Sequence, residues 1–182
     1  MSILNYLSNS FENISLEPIS MEDKPWSNDY KNANPFPHIV FDDFLPKKVI
    51  SKILQEFPTS NIQDSFSDKK QNNKRTFNPT DLESFYLKSL FHDFNSKRFL
   101  TFLEQLTGIQ GLIADPDFLG GGFHETLNGG HLGIHADFNI HKRLVLHRRI
   151  NVLIYLNDDW QDSYGGNLEL WDKKMQGKVQ SI

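Results

Sequence analysis

His135 and Asp137 are the residues in this chain whose types and spacing best suit metal chemistry. They lie in His131-Leu132-Gly133-Ile134-His135-Ala136-Asp137-Phe138-Asn139, where apolar residues alternate with polar or small ones. In a strand, that period of two sends His131, Gly133, His135, Asp137 and Asn139 to one face. An imidazole and a carboxylate then converge on one ion. With a second histidine and open positions, such mixed nitrogen and oxygen ligation suits ferrous iron that must also bind a co-substrate and dioxygen. A His-x-Asp triplet is close to chance in a chain with 7 histidines, so its surroundings must carry the argument. A helical zinc pair, His131-x3-His135, is opposed by Gly129, Gly130 and Gly133, which disfavour a helix there.

The surroundings supply turns and a second alternating segment. Gly120-Gly121-Gly122-Phe123-His124 and Asn128-Gly129-Gly130 place glycine turns before the histidine run, where backbone can turn tightly and approach a ligand closely. A phosphate-cradling loop does not fit, because no Gly-Lys-Ser/Thr follows and the next element reads as a strand. In Arg149-Ile150-Asn151-Val152-Leu153-Ile154-Tyr155-Leu156-Asn157, one face carries Arg149, Asn151, Leu153 and Tyr155 and the other is aliphatic. The mixed face could offer a guanidinium, an amide and a phenol to a dicarboxylate. Arg149 is placed at the pocket mouth, able to hold an acidic group. His124, in the glycine turn, is a candidate for direct contact, and His131 for supporting the ligands from two positions earlier. Lys142 and Arg143 read as a solvated edge.

These residues need a scaffold, and 182 residues suffice for one sizeable core. All 11 glycines fall between Gly108 and Gly177, so the chain changes character near Gly108. Before it, residues 1–34 read as a polar arm and Pro37–Phe41 as a strand. Helices are expected at 47–57, ended by Pro58, and across 81–107, where apolar residues recur at helical spacing. Thr59–Thr80 has no sustained period and reads as a solvated loop or substrate lid. After Gly108 the pattern is that of short strands between Gly and Asn turns. One domain over 35–182 follows.

Several classes are excluded or weakened. The net charge of -4 gives no broad field for nucleic acid. No apolar run is long enough to span a bilayer, and the N-terminus lacks the basic start and apolar stretch of a leader, so a cytoplasmic location is expected. Without cysteine there are no disulfides, thiol nucleophiles or thiolate metal sites. Any metal must be held by nitrogen and oxygen.

The run from Gly120 to Trp171, GGGFHETLNGGHLGIHADF followed by RRINVLIYLNDDW and GGNLELW, resembles the prolyl 4-hydroxylase-like branch of the 2-oxoglutarate and Fe(II)-dependent dioxygenase superfamily. It covers somewhat under a third of the chain. The resemblance implies an α+β, mainly β fold, a double-stranded β-helix (jelly roll) behind N-terminal covering helices and lacking its last strands. It implies Fe(II) held by His135 and Asp137, with 2-oxoglutarate as co-substrate. Tyr155 would contact 2-oxoglutarate, Asn151 and Leu168 would line its pocket, and ascorbate is a further candidate cofactor. The implied reaction is hydroxylation of an unactivated C–H bond in a prolyl residue or another small-molecule or peptidyl substrate.

The resemblance also implies a third ligand, a distal histidine, and beyond it a basic residue that pairs with the far carboxylate of 2-oxoglutarate. No histidine follows His147, and Val179-Gln180-Ser181-Ile182 reads as the start of another strand, so a truncated sequence with an incomplete iron site is expected. His141 and His147 flank residues 142–146 and are not expected to replace the missing ligand. Two competing readings are a jelly-roll binding module for a sugar or protein partner without catalysis, and a hydrolytic zinc enzyme. The zinc enzyme lacks a candidate base and third ligand.

Overall fold

The computed structural model describes residues 25–58 and 71–182. Most of the expected arm, residues 1–24, and the first part of the expected loop, 59–70, lie outside the described residues. Helix α1 (Trp26–Asn32) is followed by α2 (Lys47–Gln55), strand β1 (Gln71–Phe77), α3 (Phe85–Phe94) and α4 (Lys97–Thr107). Strands β2 (Phe123–Leu132), β3 (Ile140–His141), β4 (Leu146–His147), β5 (Glu169–Trp171) and β6 (Lys178–Ser181) complete the described elements.

The helices form where periodicity and caps agree. In α2, Val49 and Ile53 lie one turn apart and both are buried. The helical pattern over 81–107 divides into α3 and α4 because Ser84 and Ser96 each cap a new start. The Ser84 hydroxyl accepts from the Leu87 N–H at 3.0 Å and the Ser96 hydroxyl from the Phe99 N–H at 3.3 Å. Gly108 ends α4 in the left-handed conformation, φ 75°. Leu45, Val49, Ile53, Leu87, Leu90, Phe99, Phe102, Leu103 and Leu106 form the core with Phe123 from β2. Complete burial of a side chain such as Ile53 or Leu87 contributes about 1.5–3 kcal/mol.

Strands β1 and β2 pair antiparallel, with Phe77 opposite Phe123 and Thr76 opposite His124. Phe123 lies 5.2 Å from Phe57 and 5.3 Å from Phe91, ring centre to ring centre, which fastens this ribbon to the helices. Between Lys74↔Thr126 and Asn72↔His131 the register shifts, and β2 carries the extra residues, including Gly129 at φ 73°. Gly122 is required where β2 begins. Its φ is 137°, and a Cβ there would stand 2.3 Å from the Phe77 carbonyl oxygen.

Several strand expectations need correction. Pro37–Phe41 forms no strand, and Gln71–Phe77, expected as part of a loop, does. β2 stops at Leu132, so His135 and Asp137 lie beyond it in irregular chain. Residues 149–157 carry no ladder, although Ile150, Ile154 and Leu156 still pack against the core, as the aliphatic face requires. Alternation shows which side chains can be buried, whereas a strand also needs a partner for its backbone groups. The described residues form three two-stranded antiparallel sheets, β1-β2, β3-β4 and β5-β6, and their α-helices hold more residues than their strands. The fold is therefore mixed rather than mainly β, and the two stacked sheets of a jelly roll are not displayed among the described residues. This mixture of helices and small antiparallel sheets is compatible with an oxygenase fold. No helix among the described residues is long and apolar enough to cross a membrane.

Candidate metal centre

Although β2 ends early, the two residues expected to converge do so. His135 Nε2 lies 3.4 Å from Asp137 Oδ1. The other ring nitrogen, Nδ1, is 2.7 Å from the Gly133 carbonyl oxygen. A carbonyl can only accept, so Nδ1 carries a proton, which leaves Nε2 as the ring atom available to a metal beside the carboxylate. Two acceptors at this separation suit adjacent ligands, because donors bonded at about 2.1 Å to one first-row ion stand about 3 Å apart at a right angle. The donor set and its orientation fit a divalent metal.

A short hairpin brings further groups to the pair. β3 and β4 pair antiparallel through Ile140↔His147 and His141↔Leu146, and the Arg148 N–H donates to the Asn139 carbonyl at 2.9 Å. The chain entering the hairpin thus lies beside the chain leaving it. Asn151 Nδ2 donates to Asp137 Oδ2 at 2.8 Å, and Arg148 donates to Asn151 Oδ1 at 2.7 Å. The Arg148 guanidinium lies 3.5 Å from Asp137 Oδ2 and 4.5 Å from the Phe138 ring centre. Gly120, at φ 74°, passes beneath this group, and a Cβ there would stand 3.1 Å from Phe138 Cε1.

The remaining expected residues are distributed around this centre. His124, opposite Thr76 on β1, has Nδ1 3.1 Å from the Thr76 hydroxyl. Burial, and then the charge of Lys74, hold its pKa below the ordinary value, against a hydrogen bond with the Gly120 backbone and the nearby charge of Asp137. The ring is neutral at neutral pH. His131 pairs with Asn72 near the end of β2 and is exposed. Tyr155 is 54% exposed, and partial burial pushes its phenol upward, keeping it protonated and able to donate. Leu168 extends the β5-β6 ribbon, exchanging backbone hydrogen bonds with Ile182 at 3.0 and 2.9 Å. Arg149 is exposed, and the guanidinium that reaches Asp137 is that of Arg148. Extended one residue back, strict alternation would put Arg148 on the opposite face from Asn151, but without a ladder the chain here need not keep that parity.

A second group went unread in the sequence. Asp115, Asp117 and His141 each present a ligand atom, and these atoms lie within 4.8 Å of one another, close enough for one metal ion. His141 Nε2 is buried without a hydrogen-bond partner, 3.5 Å from Asp115 Oδ1 and 3.6 Å from Asp117 Oδ2. However, the Leu144 N–H donates to His141 Nδ1 at 3.1 Å, so the neutral ring carries its proton on Nε2. Asp115 accepts from the backbone N–H groups of Asp117 and Leu119 at 2.9 and 2.7 Å. Asp117 Oδ2 accepts from Arg143, which stays on the exposed edge expected for it. The only sequence signal was Asp115-Pro116-Asp117, which reads as a turn; nothing connected it to a histidine 24 residues away.

The His135 and Asp137 pair, with an amide and a guanidinium behind the carboxylate, brings one nitrogen and one oxygen donor together. Residues 121–182 match the family model of the 2OG-Fe(II) oxygenase superfamily. No curated protein and no solved structure matches the chain. The match covers the last third of the chain and both residues of the pair. It supports that superfamily and, with it, an oxidoreductase of the dioxygenase type, for which Fe(II) and 2-oxoglutarate are the implied metal and co-substrate.

Proposed function

We propose that the chain carries the iron site of a 2-oxoglutarate-dependent hydroxylase, with His135 Nε2 and Asp137 Oδ1 as metal ligands on a jelly-roll scaffold. The observation that carries this reading is His135 Nε2 standing 3.4 Å from a carboxylate oxygen of Asp137 while Nδ1 is engaged by the Gly133 carbonyl. Iron bound there with 2-oxoglutarate would supply the oxidising power for oxidative decarboxylation coupled to hydroxylation of a C–H bond. Tyr155, protonated at neutral pH, donates to a carboxylate of the co-substrate, while Leu168 and the 149–157 segment line its seat. Neutral His124 and exposed Arg149 face the substrate side, where Arg149 receives an acidic group. Peptidyl-proline is the first substrate to test, and ascorbate the reductant to include.

Succinate release from 2-oxoglutarate and Fe(II) titration, with and without His135→Ala, test the reading. Loss of both in the variant is expected. Turnover or metal affinity equal to the parent's would overturn it. The buried, unpartnered Nε2 of His141 favours a second reading, in which Asp115, Asp117 and His141 hold the metal. That site requires the ring to release its Nε2 proton and the Leu144 hydrogen bond, with the cationic Arg143 beside it. His141→Ala is therefore expected to leave metal affinity within about twofold, since it removes no ligand of the proposed ion.

A further inference from the structure

The two oxygens of Asp137 have different partners, and the difference follows from a chain of obligatory donors and acceptors. Arg148 has only N–H groups and cannot accept, so the Asn151 atom 2.7 Å from it must be the amide oxygen. A carboxylate can only accept, so the Asn151 atom 2.8 Å from Asp137 Oδ2 must be the amide nitrogen. Both ends impose the same amide orientation, which removes the ambiguity an isolated asparagine would have. The guanidinium is held in turn by the Phe138 ring face at 4.5 Å, and that ring rests on Gly120. Oδ2 is thus committed to protein donors, while Oδ1 faces His135 Nε2.

We infer that Arg148 and Asn151 are positioning residues of the metal centre: Arg148, through the Asn151 amide, fixes Oδ1 as the single ligating oxygen of Asp137. The inference rests on the proposed iron site. It extends that site to two residues that bind no metal themselves. A carboxylate held in this way occupies one coordination position rather than two, which leaves room for co-substrate and dioxygen. It also gives Asn151 a role toward Asp137, in place of the pocket-lining role implied by the resemblance.

Co(II) is a suitable probe, read by binding affinity and by its ligand-field absorption, which reports coordination number without turnover. In the full chain, Asn151→Ala and Arg148→Met are each expected to weaken Co(II) binding about 10- to 100-fold, as loss of a hydrogen bond to a metal ligand commonly does. Both should also change the absorption band as Oδ2 becomes free to ligate. In the Asn151→Ala background the Arg148→Met effect should shrink to what the direct 3.5 Å approach of the guanidinium to Oδ2 carries, because the amide that transmits the rest is gone. Far-ultraviolet circular dichroism and urea midpoints identify a variant that has merely unfolded, in which case Asn151→Ser and Arg148→Lys take its place. Parent-like affinity and spectra in folded variants would overturn the inference, as would an undiminished Arg148 effect in the Asn151→Ala background. If the parent itself binds no Co(II), or His135→Ala binds it equally well, the proposed iron site fails first. The two failures are thereby distinguished.

Discussion

One hairpin separates two histidine–carboxylate groups whose rings use Nδ1 in opposite ways, one as donor and one as acceptor. His135, before β3, donates from Nδ1 to the Gly133 carbonyl and presents Nε2 to Asp137. His141, within β3, accepts at Nδ1 from the Leu144 N–H and presents a protonated Nε2 to Asp115 and Asp117. The backbone group behind each ring selects the tautomer, and the tautomer selects the role. In the proposed site His135 would ligate, whereas His141 in this tautomer would tie a loop to a hairpin. Distance alone marks the second group as the better metal site, since it has three ligand atoms near one another. Proton placement reverses that order.

The largest contrast is expected from removing one member of each group. Asp137→Ala should reduce Fe(II) or Co(II) affinity more than 100-fold while leaving the urea midpoint little changed, because the side chain is 43% exposed. His141→Ala should do the opposite, lowering stability by about 2–4 kcal/mol, as deletion of a large buried side chain does, while metal affinity stays within about twofold. Isothermal titration and urea denaturation on the same two variants suffice. A His141→Ala protein that is stable but binds no metal would exchange the assigned roles.

Much of this contrast was hidden in the sequence for identifiable reasons. His135 and Asp137 were legible because ligand, spacing and glycine turns all occur within 18 residues, from Gly120 to Asp137. Helices α2, α3 and α4 were legible because apolar periodicity, serine caps and Gly108 agree over whole turns. Strand β1 was not legible, since Gln71-Asn72-Asn73-Lys74-Arg75-Thr76-Phe77 has no apolar alternation and owes its conformation to pairing with β2. Arg148 was missed because the alternating segment was read as starting at Arg149, and only the irregular chain there turns Arg148 toward Asp137. Asp115 and Asp117 meet His141 only through tertiary structure. Of the residues named for 2-oxoglutarate, Leu168 came from resemblance alone, whereas Tyr155 was also offered by the alternation of 149–157.

The comparison can be sharpened with a smaller change that touches neither group directly. Gly120→Ala places a Cβ 3.1 Å from Phe138 at a φ of 74°, a conformation that costs a non-glycine residue about 1–2 kcal/mol. The added methyl presses on the ring under Arg148, so metal affinity should fall a few-fold along with the urea midpoint. Asp115→Asn, on the other side of the hairpin, should lower the midpoint alone. If both variants shift metal affinity equally, the two groups are coupled through the hairpin rather than independent.

The smallest effect concerns His124, a third histidine, whose protonation is set chiefly by desolvation despite its hydrogen bond with the Gly120 backbone. Its folded pKa lies below the ordinary 6.5, chiefly because burial disfavours the charged ring and secondly because Lys74 repels it. The unfolded chain therefore binds a proton more readily than the folded one, and stability must rise with pH across the interval between the two pKa values. This contribution is complete above pH 6.5 and is lost as the pH falls through the folded pKa. Urea midpoints measured between pH 5 and pH 8 in the parent and in His124→Gln should diverge on the acid side, with the variant losing part of the parent's slope. Because Asp137 opposes the shift, Asp137→Asn should steepen the parent's slope by depressing His124 further. An unchanged slope in Asp137→Asn would mean that the charge of Asp137 is spent entirely on Arg148 and Asn151. The electrical reach of the metal centre would then stop at those two residues, short of His124.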